Sequence, residues 1–380
     1  MTKAWPGKQP ACCAIIRAVN AHTPPTLICS DCGRAAAPLD WHCDGHPLEI
    51  ASAPPFDAAA IDAGVWSMWR YAAALPVAQR VSLGEGLTPL VPIEAGGMRF
   101  HAKLEYLNPT GSYKDRGTAA LLSHLLAQGV AAVVEDSSGN AGASLAAYCT
   151  AAGVQARIYV PAGAPTSKKR LIERFGAALV EIAGPRAAAT AAVRQAAQDT
   201  PYASHAWSPY FIAGQMTCAW EIWEQLGRRA PDAVVCAVGY GGLLLGLARG
   251  FRALLDAGLI ERLPRLYAAQ SSACDPLVRA WERGGPVEAV EQGQTVADGI
   301  AVTLPLRAAE LLAALRDSGG GALRVSDEAV LAAQAALARR GLLAEPTGAV
   351  GVAALADAQR LAGANAAFVV PLTGSGLKAL

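Results

Sequence analysis

Lys114 stands between the run Asn108-Pro109-Thr110-Gly111-Ser112-Tyr113 and the run Asp115-Arg116-Gly117. The proline and glycine force a turn. The apolar residues that follow (Ala119, Ala120, Leu121, Leu122, Leu125, Leu126) read as a helix. A lysine at such a junction feels the positive end of the helix dipole and, if partly desolvated, is pushed toward its neutral form. A neutral amine is the nucleophile that forms a Schiff base with an aldehyde cofactor. A solvated lysine on a first helical turn is the plainer reading, and the lysine alone does not separate the two.

Other stretches carry chemistry of their own. Val238-Gly239-Tyr240-Gly241-Gly242-Leu243 brings a buried strand to a glycine loop and then a helix, so backbone N–H groups could cradle an anion. A tight structural turn fits the same residues. A dinucleotide turn fits less well, because the full G-x-G-x-x-G spacing and a clear downstream acid are lacking. Cys29 and Cys32 form a C-x-x-C knuckle, and Cys43 with His46 offers a second pair. Those four could hold Zn²⁺ tetrahedrally, or they could be a degenerate ribbon with free thiols. Cys12-Cys13 lacks the spacing for one metal.

The elements that must position these residues alternate. After the Lys114 helix, strands are expected at Ala131–Val134, Arg157–Val160 and Ala177–Ile182, with helices at Ala143–Ala152, Lys168–Phe175 and Ala187–Ala197. Helix, strand and helix follow at Gln215–Leu226, Ala233–Val238 and Leu243–Ala257, then a strand at Leu266–Gln270. Helices at Asp327–Arg340 and Gly348–Arg360 precede a strand at Ala367–Pro371. Such alternation implies parallel βαβ units. Residues 56–80 read as an amphipathic helical arm with Val65, Trp66, Met68, Trp69 and Tyr71 on its apolar face, packing on its own domain or on a partner subunit.

The 380 residues suffice for two domains and a substantial core. An apolar fraction of 53% with 17% charged residues is that of a soluble enzyme. A net charge of +1 gives no case for nucleic acid or an anionic membrane. The uncharged, largely apolar run Ala233–Ala248 is too short to span a bilayer and is broken by glycines. Lys3 and Lys8 are not followed by an apolar run, so no signal peptide is read and the cytoplasm is expected.

Taken together, Asn108–Gly117, Ser137-Ser138-Gly139-Asn140-Ala141-Gly142, the Gly239–Gly242 loop and Thr373-Gly374-Ser375-Gly376-Leu377-Lys378 resemble the fold-type-II pyridoxal-phosphate enzymes, and among them threonine synthase most. The resemblance runs from about Leu83 to Leu380. It implies a tryptophan synthase β-like α/β fold of two three-layer domains behind an N-terminal zinc-ribbon-like segment. The implied division is 1–82 (ribbon and arm), 83–106 with 210–380 (large cofactor-binding domain) and 107–209 (small domain). A homodimer is implied as well.

On the same resemblance Lys114 is the Schiff-base lysine and the base for the Cα proton. Gly239, Tyr240, Gly241, Gly242 and Leu243 hold the cofactor phosphate. Thr373 is the partner of the ring nitrogen, with Ser375 a competing hydroxyl, and Asn140 sits beside the ring oxygen. Ser137, Ser138 and Gly139 shape a site for the substrate carboxylate. Asn140 alternatively caps the following helix.

Two signatures mix. Threonine synthases commonly carry an Asn-Pro-Tyr-Arg-like run whose arginine can clamp a substrate phosphate; here it is Ser208-Pro209-Tyr210-Phe211. Lys168, Lys169 or Arg170 is then the expected replacement, or the amino-acid substrate carries no phosphate. Ala164–Lys168, Ile212–Gln215, Ala297–Val302 and Glu345–Ala349 look like the serine/threonine ammonia-lyases. The expected activity is elimination of a side-chain leaving group followed by addition of water, with ammonia release or β-replacement as the alternative.

Overall fold

The computed structural model describes residues 25–164, 166–363 and 365–379; Cys12 and Cys13 lie outside them. Near the start, β1 (Leu27–Cys29), β2 (Ala35–Ala36) and β3 (Leu48–Ile50) form a small antiparallel sheet. The stretch expected to be a helical arm is not an α-helix. It holds two short 3-10 segments, Ala58–Ala60 and Met68–Ala74. The second is kinked at Tyr71, whose backbone is not helical. The arm's polar groups bond to the body instead: the Met68 N–H donates to the Glu85 carbonyl, and the Trp69 indole donates to Glu85 Oε1 at 2.6 Å.

β4 (Leu90–Ala95) and β5 (Met98–Lys103) make a hairpin across Gly96-Gly97. Next come α1 (Lys114–Ala127), β6 (Ala132–Glu135), α2 (Asn140–Ala152), β7 (Gln155–Pro161), α3 (Thr166–Arg174), β8 (Ala178–Ile182) and α4 (Arg186–Ala196). β6, β7 and β8 form a parallel three-stranded sheet, each strand delivering the chain to a helix at its C-terminal end. Then follow α5 (Pro209–Gln225), β9 (Ala233–Ala237), α6 (Gly242–Asp256), β10 (Arg265–Ser271), α7 (Pro276–Arg283), α8 (Ala308–Asp317) and β11 (Gly321–Val325). The last elements are α9 (Asp327–Ala338), α10 (Pro346–Ala353), α11 (Leu355–Ala362) and β12 (Phe368–Pro371). The second sheet runs β11-β10-β9-β12-β5-β4, parallel except for the β4–β5 hairpin.

The helix expected over Gly348–Arg360 is two helices that meet at Ala354; nothing in the sequence explains that break. Helix α5 begins six residues earlier than expected. Ser208 caps it by accepting from the Phe211 N–H, and Pro209 occupies its first turn.

α5 is the buried axis of the molecule. Trp220 and Trp223 are almost fully enclosed and meet Phe56 of the arm, which also lies against Tyr71. The arm thus packs on its own chain. Between α1, α5 and β5 lies a fully buried ionic network: Arg116 pairs with Glu105 at 2.7 Å and Glu221 at 2.6 Å, and Lys103 with Glu221 at 2.7 Å. It fixes the helix on which Lys114 stands.

Candidate functional site

The turn before Lys114 is held from two sides. The Tyr113 N–H donates to the Thr373 carbonyl, and the Ser375 N–H donates to the Gly111 carbonyl. Asp115 accepts from the Thr110 N–H and hydroxyl at 2.7 and 2.6 Å and from the Ser144 hydroxyl at 2.6 Å, tying the turn to α2. Lys114 is therefore placed by backbone and carboxylate bonds rather than by its own side chain. Its Nζ lies 2.7 Å from the Tyr113 hydroxyl and faces the Phe211 ring. Burial lowers its pKa from 10.5 to about 8; Glu135 and Glu345 pull back, and the charge of Arg186 pushes the same way as burial.

Lys114 lines a cleft of about 720 Å³. Ser137, Ser138, Gly139 and Asn140 line the same cleft, as do Gly239, Tyr240, Gly241, Gly242, Leu243 and Thr373. Two expected residues are not placed there. The side chain of Lys168 lies outside the described residues, although its backbone is on α3. Lys169 turns away, donating to Glu181 at 2.8 Å and to the Ala162 carbonyl at 3.1 Å. Phe211 is enclosed, its ring pressed against Gly117, and α5 contributes no cation to the cleft.

Each remaining position has a local cause. The loop after β9 turns through Gly241 at φ +82°, a conformation that favours glycine, and α6 begins without any side-chain cap. Its first-turn N–H groups are therefore available to an anion at the cleft. Asn140 is the first residue of α2, and Gly139 is its cap. The Asn140 side chain does not cap the helix; it donates to Glu345 Oε1 at 2.8 Å and accepts from the Lys378 ammonium. Thr373 Oγ1 is buried without a hydrogen-bond partner among the described residues, whereas the Ser375 hydroxyl accepts from the Leu377 N–H. An orphaned hydroxyl on one wall and an uncapped helix start on another fit a ring nitrogen and a phosphate, the two ends of pyridoxal phosphate.

Sequence reasoning missed several groups. Asp298, Gly299, Ile300, Ala301 and Val302 line the cleft, as do Glu345 and Thr347. Their motifs stand out in the sequence, but nothing there gives them a place. The His205 Nδ1 lies 2.6 Å from Glu135 Oε1 at the cleft wall. Burial, then the neighbouring Asp136, raises Glu135 well above the carboxylate range; burial, then Lys114 and Arg186, lowers His205. Burial thus acts against the charged form of both partners of the pair. A polar pair at the C-terminal end of a parallel strand, Glu135-Asp136, was the available signal. Arg186 and Arg194 line the cleft as well.

The N-terminal knuckles come together only in part. Cys29, Cys32 and Cys43 place their sulfurs within 4.8 Å of one another. His46 does not join them. It bonds to Cys43 through backbone, and its imidazole points to Asp31 at 3.9 Å. Three donors are one short of a structural zinc set.

Comparison with known proteins matches the family described as "Pyridoxal-phosphate dependent enzyme" over residues 81–374. The chain belongs to that family. A threonine synthase of Methanosarcina acetivorans is 36% identical over 299 residues, 76% of this chain and 74% of the relative. That of Methanocaldococcus jannaschii is 34% identical over 82% of this chain and 80% of its own. Among solved structures, a T.th. threonine deaminase superposes with a TM-score of 0.65 at 30% identity, covering 76% of this chain and 92% of that one. A maize serine racemase, at 22% identity and a TM-score of 0.66, shares the fold. The pyridoxal-phosphate fold of type II thus accounts for both sheets. No helix of the described residues is long and apolar enough to cross a membrane.

Proposed function

We propose that this enzyme is a pyridoxal-phosphate-dependent lyase of amino-acid metabolism, threonine synthase-like, that removes a side-chain leaving group and adds water in its place. The observation that carries the reading is the convergence of Lys114, Asn140, the uncapped start of α6 and the orphaned Thr373 hydroxyl on one cleft. When bound, pyridoxal phosphate supplies an electron sink for the bonds at Cα of an attached amino acid. The chain's own groups do the rest. Lys114, its pKa lowered to about 8, takes up and returns the Cα proton. The first-turn N–H groups of α6, with Gly239, Tyr240, Gly241, Gly242 and Leu243, hold the phosphate. Thr373 meets the ring nitrogen with a hydroxyl, which leaves that nitrogen free to lose its proton and makes the sink gentler. Asn140, held by Glu345, orients the ring oxygen, and Ser137, Ser138 and Gly139 receive the substrate carboxylate.

A second reading, a serine/threonine ammonia-lyase, is favoured by Phe211 in place of the phosphate-clamping arginine and by the lining of the cleft with Asp298–Val302. Product analysis by mass spectrometry decides. Threonine and free phosphate from O-phosphohomoserine support the first reading; a keto acid and ammonia from serine or threonine support the second. Lys114→Ala should keep its circular dichroism spectrum yet lose both the visible absorption of lysine-linked cofactor and all turnover.

The same reading divides the chain into a ribbon and arm (1–82), a large cofactor-binding domain (83–106 with 210–380) and a small domain (107–209), in a cytoplasmic homodimer. Sedimentation at micromolar concentration tests the dimer. For the ribbon, Cys29, Cys32 and Cys43 with a rotated His46 are proposed as a structural zinc site; metal analysis finding no zinc would make it a metal-free remnant.

A further inference from the structure

Arg186, Thr190 and Arg194 are spaced four residues apart on α4 and so share one helix face. The stripe beside it, Ala189 and Val193, is buried. The polar face borders the cleft and also a second cavity of about 380 Å³ beside it. His205, Tyr240 and Leu304 line both spaces, so the two adjoin at the α4 residues. Both arginines are exposed to solvent at this junction.

The charge here is positive. Asp136 is the acidic residue lining the second cavity, and its two oxygens accept from Thr190 at 2.7 Å and Tyr202 at 2.6 Å. Its neighbour Glu135 is hydrogen-bonded to His205 and does not line that cavity. Two guanidiniums and one carboxylate thus line it. Arg194 lies over the Trp41 and Trp207 rings, 5.9 and 5.6 Å from their centroids. Stacking through its face leaves the N–H edge of a guanidinium able to bind an oxyanion. Arg186 is close enough to Lys114 for its charge to act on the amine.

We infer that Arg186 and Arg194 form a subsite for an oxyanion, a phosphate monoester or a carboxylate, at the side-chain end of the amino-acid substrate. The subsite replaces the missing cation at Phe211, and Lys169 of α3, which is bonded to Glu181, does not. It rests on the lyase reading for the orientation of the substrate, whose α-carboxylate end lies at Ser137–Gly139. A planar guanidinium with five donors suits either anion, and bidentate bonding makes arginine the stronger partner.

The test uses the holoenzyme with three substrates: O-phosphohomoserine, O-succinylhomoserine and serine. Selectivity, the ratio of kcat/KM for an anionic substrate to that for serine, should fall about tenfold or more in Arg186→Ala and further in the double variant with Arg194→Ala. The loss should fall on KM, and Arg186→Lys should recover part of it. Whichever anionic substrate shows the drop identifies phosphate or carboxylate. Calorimetry with the phosphonate analogue, in which a methylene replaces the bridging oxygen of O-phosphohomoserine, should show the same weakening without any turnover. Unchanged selectivity and unchanged phosphonate binding in all variants would overturn the subsite. Wild-type turnover of serine alone, with no phosphonate binding, also overturns it while leaving a lyase in place. If no substrate reacts but phosphonate binding still depends on Arg186, the lyase reading fails and the subsite stands.

Discussion

At Lys114 the environment sets the chemistry before any ligand arrives. Burial holds its pKa near 8 rather than 10.5, so the neutral fraction rises about tenfold per pH unit until that value is reached. The rate at which cofactor-free protein takes up pyridoxal phosphate should therefore climb from pH 6 to about 8 and then level, as followed by absorbance. A rate that kept climbing to pH 10 would mean an unperturbed lysine. Thr373 offers a second check. A buried hydroxyl without a partner costs about 1–3 kcal/mol. Thr373→Val keeps the shape and removes that cost, so the cofactor-free protein should gain about 1 kcal/mol in denaturant unfolding while the affinity for cofactor falls. Loss of stability in both forms would show that the hydroxyl already has a structural partner.

Among elements, close approach matters more than propensity. A Cβ on Gly214 of α5 would stand 2.2 Å from the Arg116 carbonyl of α1, backbone against side chain with no flexible atom to yield. Gly214→Ala should cost about 1–3 kcal/mol and lower kcat by shifting the turn that carries Lys114; a melting temperature and kcat within error of wild type would remove α5 from that role. Gly214 also shows where sequence reading stops. Ile212–Gln215 was legible as a motif, but no periodicity says that two helices touch there. The strand–helix alternation through residues 131–257 was legible because apolar runs of strand length are punctuated by glycine. Ser137–Asn140, the Gly239–Gly242 loop and Thr373 were legible as motifs, and they line one cleft. Arg186, Thr190 and Arg194 were not, since four-residue spacing on an alanine-rich helix looks like an ordinary solvated face. Glu135 and His205 meet only because β6 ends beside the loop before α5. The arm at 56–80 misled for the opposite reason: its aromatic residues have helical spacing, but Tyr71 packs on Trp220 of α5, Trp69 bonds to Glu85, and Trp66, expected on the apolar face, is exposed.

Across the molecule, one cluster of charge lies where water is absent. Glu221 lies between Arg116 and Lys103 with no exposure. Burial alone would raise its pKa, but the two cations and their hydrogen bonds hold it from 4.5 down to about 2. A depressed acid contributes stability in full above about pH 4.5 and loses it as pH falls toward 2. Glu221→Gln should lose about 3–5 kcal/mol at pH 7, because two cations are left buried with too little charge beside them. Its unfolding free energy should also fall less steeply between pH 4.5 and 2 than that of the wild type. An unchanged slope would assign acid sensitivity to other carboxylates.

The placing of β12 has a consequence for how the chain is made. β5 and β9 do not pair with each other; β12 lies between them and joins the two halves of the sheet. On a ribosome, 265 residues separate Lys103, the end of β5, from Phe368, the start of β12. At about 5–20 residues per second that is a wait of roughly 15–50 s for the unpaired edge of β5, and about half as long for that of β9, which ends at Ala237. Once β9 and β10 are made, the nascent protein is a hairpin and a separate parallel sheet with a slot between them, a ready substrate for chaperones. Translation fills the slot late, and Thr373 arrives with the strand that closes it.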